Sequence, residues 1–99
     1  MADTLETYGT VTPYLVVANA DAELKFIAAA FGAVEALCHR DDKNAIMHAE
    51  LKIGDSLIML GQAGDQMKAL TAALYLWVPN VDAVYAKALA LGATSLGAP

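Results

Sequence analysis

Apolar residues along this chain recur at two periods, and the changes of period divide it into elements. From Val11 to Val17 the residues are mostly apolar and β-branched, which predicts a buried strand. Pro13, near its start, marks a strand end or an edge. Asn19 can then cap a helix, with Asp21 and Glu23 in its positive first turn. Leu24, Ile27, Ala28 and Phe31 follow at helical spacing, so one helix face can lie on a sheet. Gly32 stands where a C-terminal glycine belongs. Folding is expected to depend on the Leu24, Ile27 and Phe31 stripe, with Phe31→Ala costing roughly 3 kcal/mol or more.

Val34 to Arg40 alternates as a second strand, with Cys38 sharing a face with Val34 and Ala36. Asp41-Asp42-Lys43-Asn44 is turn-forming. Ala45 to Ile53 alternates again. Met47, Ala49, Leu51 and Ile53 are expected on one face, and Ile46, His48, Glu50 and Lys52 on the other. Gly54-Asp55 is a hairpin signal, and Ser56 to Leu60 returns as a fourth strand. Gly61 to Lys68 reads as a loop.

The pattern then restarts. Leu74 to Val78 predicts a strand, Asn80 a cap, and Val81, Val84, Tyr85 and Ala88 an amphipathic helix closed by Gly92. Val17-Ala18-Asn19-Ala20-Asp21-Ala22 matches Val78-Pro79-Asn80-Val81-Asp82-Ala83 at an offset of 61, and Phe31-Gly32 matches Leu91-Gly92 at an offset of 60. The expected fold class is therefore α+β, a βαβββ unit plus the start (βα) of a second copy. Residues 1–10 read as a tail and 11–99 as one domain, with the first unit at 11–61 and an incomplete second unit at 71–99. A sheet edge left open this way is expected to be covered by another chain, unless the sequence is truncated.

Composition narrows the partners. The chain has 99 residues, a size for one domain, and at 58% hydrophobic and 17% charged it can bury a core. Its formal charge of -5 argues against nucleic acid and anionic membranes as partners. A lone cysteine, Cys38, excludes an intramolecular disulfide and suits a reducing compartment. Met1 to Gly9 is polar and acidic, unlike a secretory signal, and no apolar run approaches the roughly 20 residues of a membrane helix. A cytoplasmic protein is expected.

The chain resembles the vicinal oxygen chelate superfamily, built from duplicated βαβββ units and including glyoxalase I, extradiol dioxygenases and bleomycin-resistance proteins. Its wording is similar to the PhnB-like, glyoxalase/bleomycin-resistance branch in Thr12-Pro13-Tyr14-Leu15-Val16-Val17 and in Phe26 through Phe31-Gly32-Ala33. The likeness continues in Met47-His48-Ala49-Glu50-Leu51-Lys52-Ile53-Gly54-Asp55-Ser56 and Met59-Leu60. Leu76-Trp77-Val78, Val81-Asp82-Ala83-Val84 and Gly92-Ala93-Thr94 complete it. The resemblance implies metal positions at Thr12, Met59 and Ala73, with a fourth beyond Pro99. A thioether and a methyl group are poor ligands for a hard divalent ion, so no metal and no cofactor are expected.

His48 and Glu50 share one strand face, about 7 Å apart at the backbone, where they could converge on a metal, share a proton or face solvent. In the resembling branch this face lines a concave cup. Cys38 and His39 point to opposite sides and cannot act jointly; Cys38 reads as a buried, inert thiol and His39 as a surface residue. Gly61-Gln62-Ala63-Gly64 is too loose for a phosphate loop. Tyr14 and Tyr75 sit on equivalent strands of the two units, with Trp77 on Tyr75's face; they either pack a core or line the cup.

These readings point to a small-molecule-binding protein of the glyoxalase/bleomycin-resistance-like kind, without a catalytic metal. Its ligand would meet Tyr14, His48, Glu50, Met59, Tyr75 and Trp77. Two alternatives stand beside it. One is a metal-dependent lyase, isomerase or dioxygenase using His48, Glu50 and groups from a partner chain; the other is a fragment with no activity of its own. A homodimer, with exchanged units as the resemblance suggests, is the expected closure of the open edge.

Overall fold

Two asparagines turn extended chain into helix in the same way. In the computed structural model, which describes residues 8–99, β1 (Tyr14–Val17) leads through Asn19 into α1 (Ala20–Phe31). The Asn19 side chain accepts a hydrogen bond from the Ala22 N–H at 3.1 Å, and Gly32 ends the helix at φ 68°. Asn80 caps α2 (Val81–Ala90) with the same 3.1 Å bond from Ala83. Gly92, at φ 109°, follows that helix. The tail expected over the first ten residues lies mostly outside the described residues.

Between the helices run β2 (Val34–Arg40), β3 (Ile46–Ile53) and β4 (Ser56–Gln62). They form a four-stranded sheet in the order β1-β4-β3-β2, with β1 parallel to β4 and the other pairs antiparallel. Gln62 ties the end of β4 to the β1–α1 turn. Its side-chain oxygen accepts from the Ala20 N–H at 2.9 Å, and its amide donates to the Ala18 carbonyl. The core lies between α1 and one sheet face, where Leu15, Ala49, Leu51, Ile58 and Leu60 meet Ala20 and Ile27. Arg40 joins the far end of β2 to the first turn of α1 through two bonds to Asp21, at 2.7 and 3.2 Å. That guanidinium holds the Asp21 carboxyl below its ordinary value chiefly through its hydrogen bonds, which outweigh the opposing desolvation, with its charge adding to them.

Three expectations are corrected. Val11 to Pro13 stays outside β1, consistent with a proline at a strand end. The strict alternation expected in β2 and β3 is broken by irregularities in register between Glu35 and Leu37 and between His39 and Arg40. His39 pairs with His48 and Arg40 with Ile46, so Met47 is bulged out and exposed while Ile46 is fully buried in the core. Ala36 is similarly skipped, so Val34 is exposed while Cys38 packs against the core. Finally, Leu74–Val78 forms no strand. No other strand lies beside it among the described residues, and an unpaired strand has no ladder to hold it. The helix that follows, α2, touches α1 but buries none of its residues. No helix of the described residues is long and apolar enough to cross a membrane.

Candidate functional site

Register places Tyr14, Met59 and Glu50 side by side across three strands. Tyr14 pairs with Met59, and Met59 with Glu50. The alternating residues Leu15, Leu60 and Ala49 point into the core under α1, so this row lies on the opposite sheet face. His48 lies two residues before Glu50 and shares its face.

The side chains form a continuous chain of hydrogen bonds. His48 Nε2 lies 2.7 Å from Glu50 Oε2, and His48 Nδ1 lies 3.4 Å from the Tyr14 hydroxyl. The Tyr14 and His48 ring centres are 5.6 Å apart. Tyr8 donates to Glu50 Oε1 at 3.1 Å, so both carboxylate oxygens are engaged. Glu50 is only 3% exposed, and a buried carboxylate persists where donors replace its water. The bond to Glu50 fixes a proton on His48 Nε2 and leaves Nδ1 to face Tyr14. Tyr14 itself remains 43% exposed.

Gly61 makes room for that arrangement. A Cβ at residue 61 would stand 2.8 Å from the Tyr14 hydroxyl oxygen and 3.0 Å from the Met47 carbonyl oxygen. The Tyr14 hydroxyl can also donate to that carbonyl, at 3.5 Å. Tyr8 was not singled out by the sequence, since a tyrosine next to a polar tail carries no periodic signal. Thr12 holds the Tyr8 segment in place, its hydroxyl donating to the Tyr8 carbonyl at 3.2 Å.

Of the residues expected at a ligand, Tyr14, His48, Glu50 and Met59 are thus brought together, and Tyr75 and Trp77 are not. Those two are 94% and 84% exposed. They flank a separate open cleft of about 790 Å³ between residues 74–79 and the β3–β4 hairpin, whose lining also includes Phe31, Leu57 and Tyr8. Tyr8 is the one side chain common to the cleft and the Glu50 cluster. His39 is exposed, as expected.

The positions at which the resemblance implies a metal do not fit one. Thr12 spends its hydroxyl on a backbone carbonyl, Met59 offers a thioether, and Ala73 is an exposed methyl group. Among the described residues no three His, Cys, Asp or Glu side chains are grouped to hold an ion.

A helix packed on one face of a β1-β4-β3-β2 sheet is consistent with a glyoxalase/bleomycin-resistance-like α+β fold. Two solved structures share it. TioX from Micromonospora sp. ML1 superposes with a TM-score of 0.62 at 22% identity, over 84% of this chain and 72% of TioX. The Arabidopsis thaliana gene product At5g48480 superposes with a TM-score of 0.68 at 19% identity, over 90% of this chain and 77% of its own. At these identities the likeness is one of fold. No family model matches the chain, and no curated protein does.

Proposed function

We propose that this chain binds a small organic molecule on the Tyr14–His48–Glu50 face of its sheet, as a glyoxalase/bleomycin-resistance-like protein working without a bound metal. The buried Glu50 carries the reading. A sheet face that only needed covering would be filled by apolar side chains, because burying a carboxylate costs several kcal/mol unless every oxygen is satisfied. Here the carboxylate is satisfied by Tyr8 and His48, and the ordered imidazole reaches a phenol open to solvent. Tyr14 and Met59 supply the flat and apolar contacts that small organic ligands need. The test is elemental analysis of protein purified without chelator, followed by titration with a panel of aromatic fragments, with and without excess EDTA. Binding unchanged by EDTA supports the reading. One tightly held divalent ion per chain, or binding abolished by EDTA and restored by metal, contradicts it in favour of a metal-dependent enzyme.

We also infer a homodimer. Tyr75 and Trp77 are large, apolar and exposed, and no backbone hydrogen bond joins Leu74–Val78 to a strand among the described residues. A second copy supplies both an edge for this segment and a cover for its aromatics. Within one chain Tyr75 and Trp77 lie apart from Tyr14, so an exchanged pairing is the route by which they would reach a ligand face.

A further inference from the structure

On the reading that the Tyr14 face takes an organic ligand, we infer which ligand group it recognises: the Tyr14 hydroxyl is an outward-facing acceptor, and the ligand is a flat molecule that offers it an uncharged hydroxyl or N–H donor. The argument is a count of protons. Tyr14 carries a single O–H, and two acceptors of the chain compete for it, His48 Nδ1 at 3.4 Å and the Met47 carbonyl at 3.5 Å. When His48 is neutral, its bond to Glu50 keeps the proton on Nε2, and the Tyr14 hydrogen goes to Nδ1 or to Met47. When His48 is charged, Nδ1–H donates to the Tyr14 oxygen, and the Tyr14 hydrogen goes to Met47. In each state an acceptor of the chain can take the hydrogen, and at least one lone pair of the oxygen stays free to accept.

The groups around that oxygen sharpen the choice. Glu50 is 3% exposed and both of its oxygens already accept bonds from within the chain, so it presents little to a ligand. The Met59 thioether is a weak partner. A ligand carboxylate would bring a negative charge and more acceptors toward a buried carboxylate and an oxygen that itself accepts, in a chain of net charge -5. Gly61, without a side chain, lets the Tyr14 hydroxyl lie close to the backbone. The tilted Tyr14 and His48 rings offer a flat body something to lie against.

Three probes with one ring system test the inference: 2-naphthol, its methyl ether, and 2-naphthoate, titrated at neutral pH against the native chain and Tyr14→Phe. The naphthol should bind about fivefold tighter than the ether, the value of one net hydrogen bond. The naphthoate should bind more weakly than both. In Tyr14→Phe the naphthol should fall to the affinity of the ether, which itself should hardly change. Equal binding of naphthol and ether by the native chain overturns the inference but leaves an organic ligand on this face. So does a preference that survives in Tyr14→Phe, or tightest binding by the naphthoate. Failure of every probe to bind overturns the ligand reading beneath it and the inference with it.

Discussion

Glu50 decides what this sheet face can do, because a carboxylate that is 3% exposed must be held by its neighbours. Replacing Glu50 with Ala strands the Tyr8 hydroxyl and the His48 N–H that it now accepts from. The expected cost is about 2 kcal/mol of stability in a urea titration. Lys52→Ala, two residues along the same strand at an exposed position, should stay within about 0.5 kcal/mol. Equal losses from the two would mean that the Glu50 bonds contribute nothing. The pairing of His48 with Glu50 was legible in the sequence, since alternate residues of a strand share a face. Tyr8 was not legible, because its contact spans 42 positions from a region without periodicity. The bulge at Met47 was equally hidden: one extra residue in a strand leaves composition unchanged yet turns Ile46 from the open face into the core.

At the scale of elements, α1 and its two ends were the most readable part of the chain. Cap, stripe and closing glycine each act locally, so each appears in the sequence where it acts. What local pattern could not give was depth. Ile27 is 2% exposed, whereas Phe31 is half-buried and meets Phe26 edge to face, so Ile27 is expected to carry more of the core than Phe31. Ile27→Ala should cost about 3 kcal/mol and Phe31→Ala about 2 kcal/mol by denaturant titration, and the reverse order would misplace the core. The Arg40–Asp21 bond between β2 and α1 makes a separate claim about pH. Because Arg40 lowers the Asp21 pKa, the ionised pair favours the fold above the ordinary carboxylate range. That contribution fades as pH falls through the lowered value. In Arg40→Gln, an NMR titration should find the Asp21 carboxyl moved back up toward its ordinary value; an unmoved titration would mean that Arg40 is not the cause. Leu74–Val78 marks the limit of local reading. Its apolar run copies that of β1, but a strand is a property of two segments, and β1 has β4 beside it while this segment has no such neighbour among the described residues.

For the whole molecule, the repeat was legible and its consequence was not. The two caps match bond for bond, yet one helix covers a core and the other buries nothing. On the proposed dimer a second copy would pair with the 74–78 segment, and sedimentation at micromolar concentration should then give twice the 10.4 kDa chain mass. A stable species of 10.4 kDa would remove the dimer from the account. The site and the 74–79 cleft are also separate places that share Tyr8 among the described residues, so a ligand must choose between them. NMR mapping of a bound aromatic fragment, with EDTA present throughout, tests the central claim most directly. The account predicts saturable shifts in the amides of Tyr14, His48, Glu50, Met59 and Gly61, with the tip of the β3–β4 hairpin and Leu74–Pro79 unaffected. Shifts centred on that hairpin and on Tyr75 and Trp77, with the Tyr14 face silent, would contradict it.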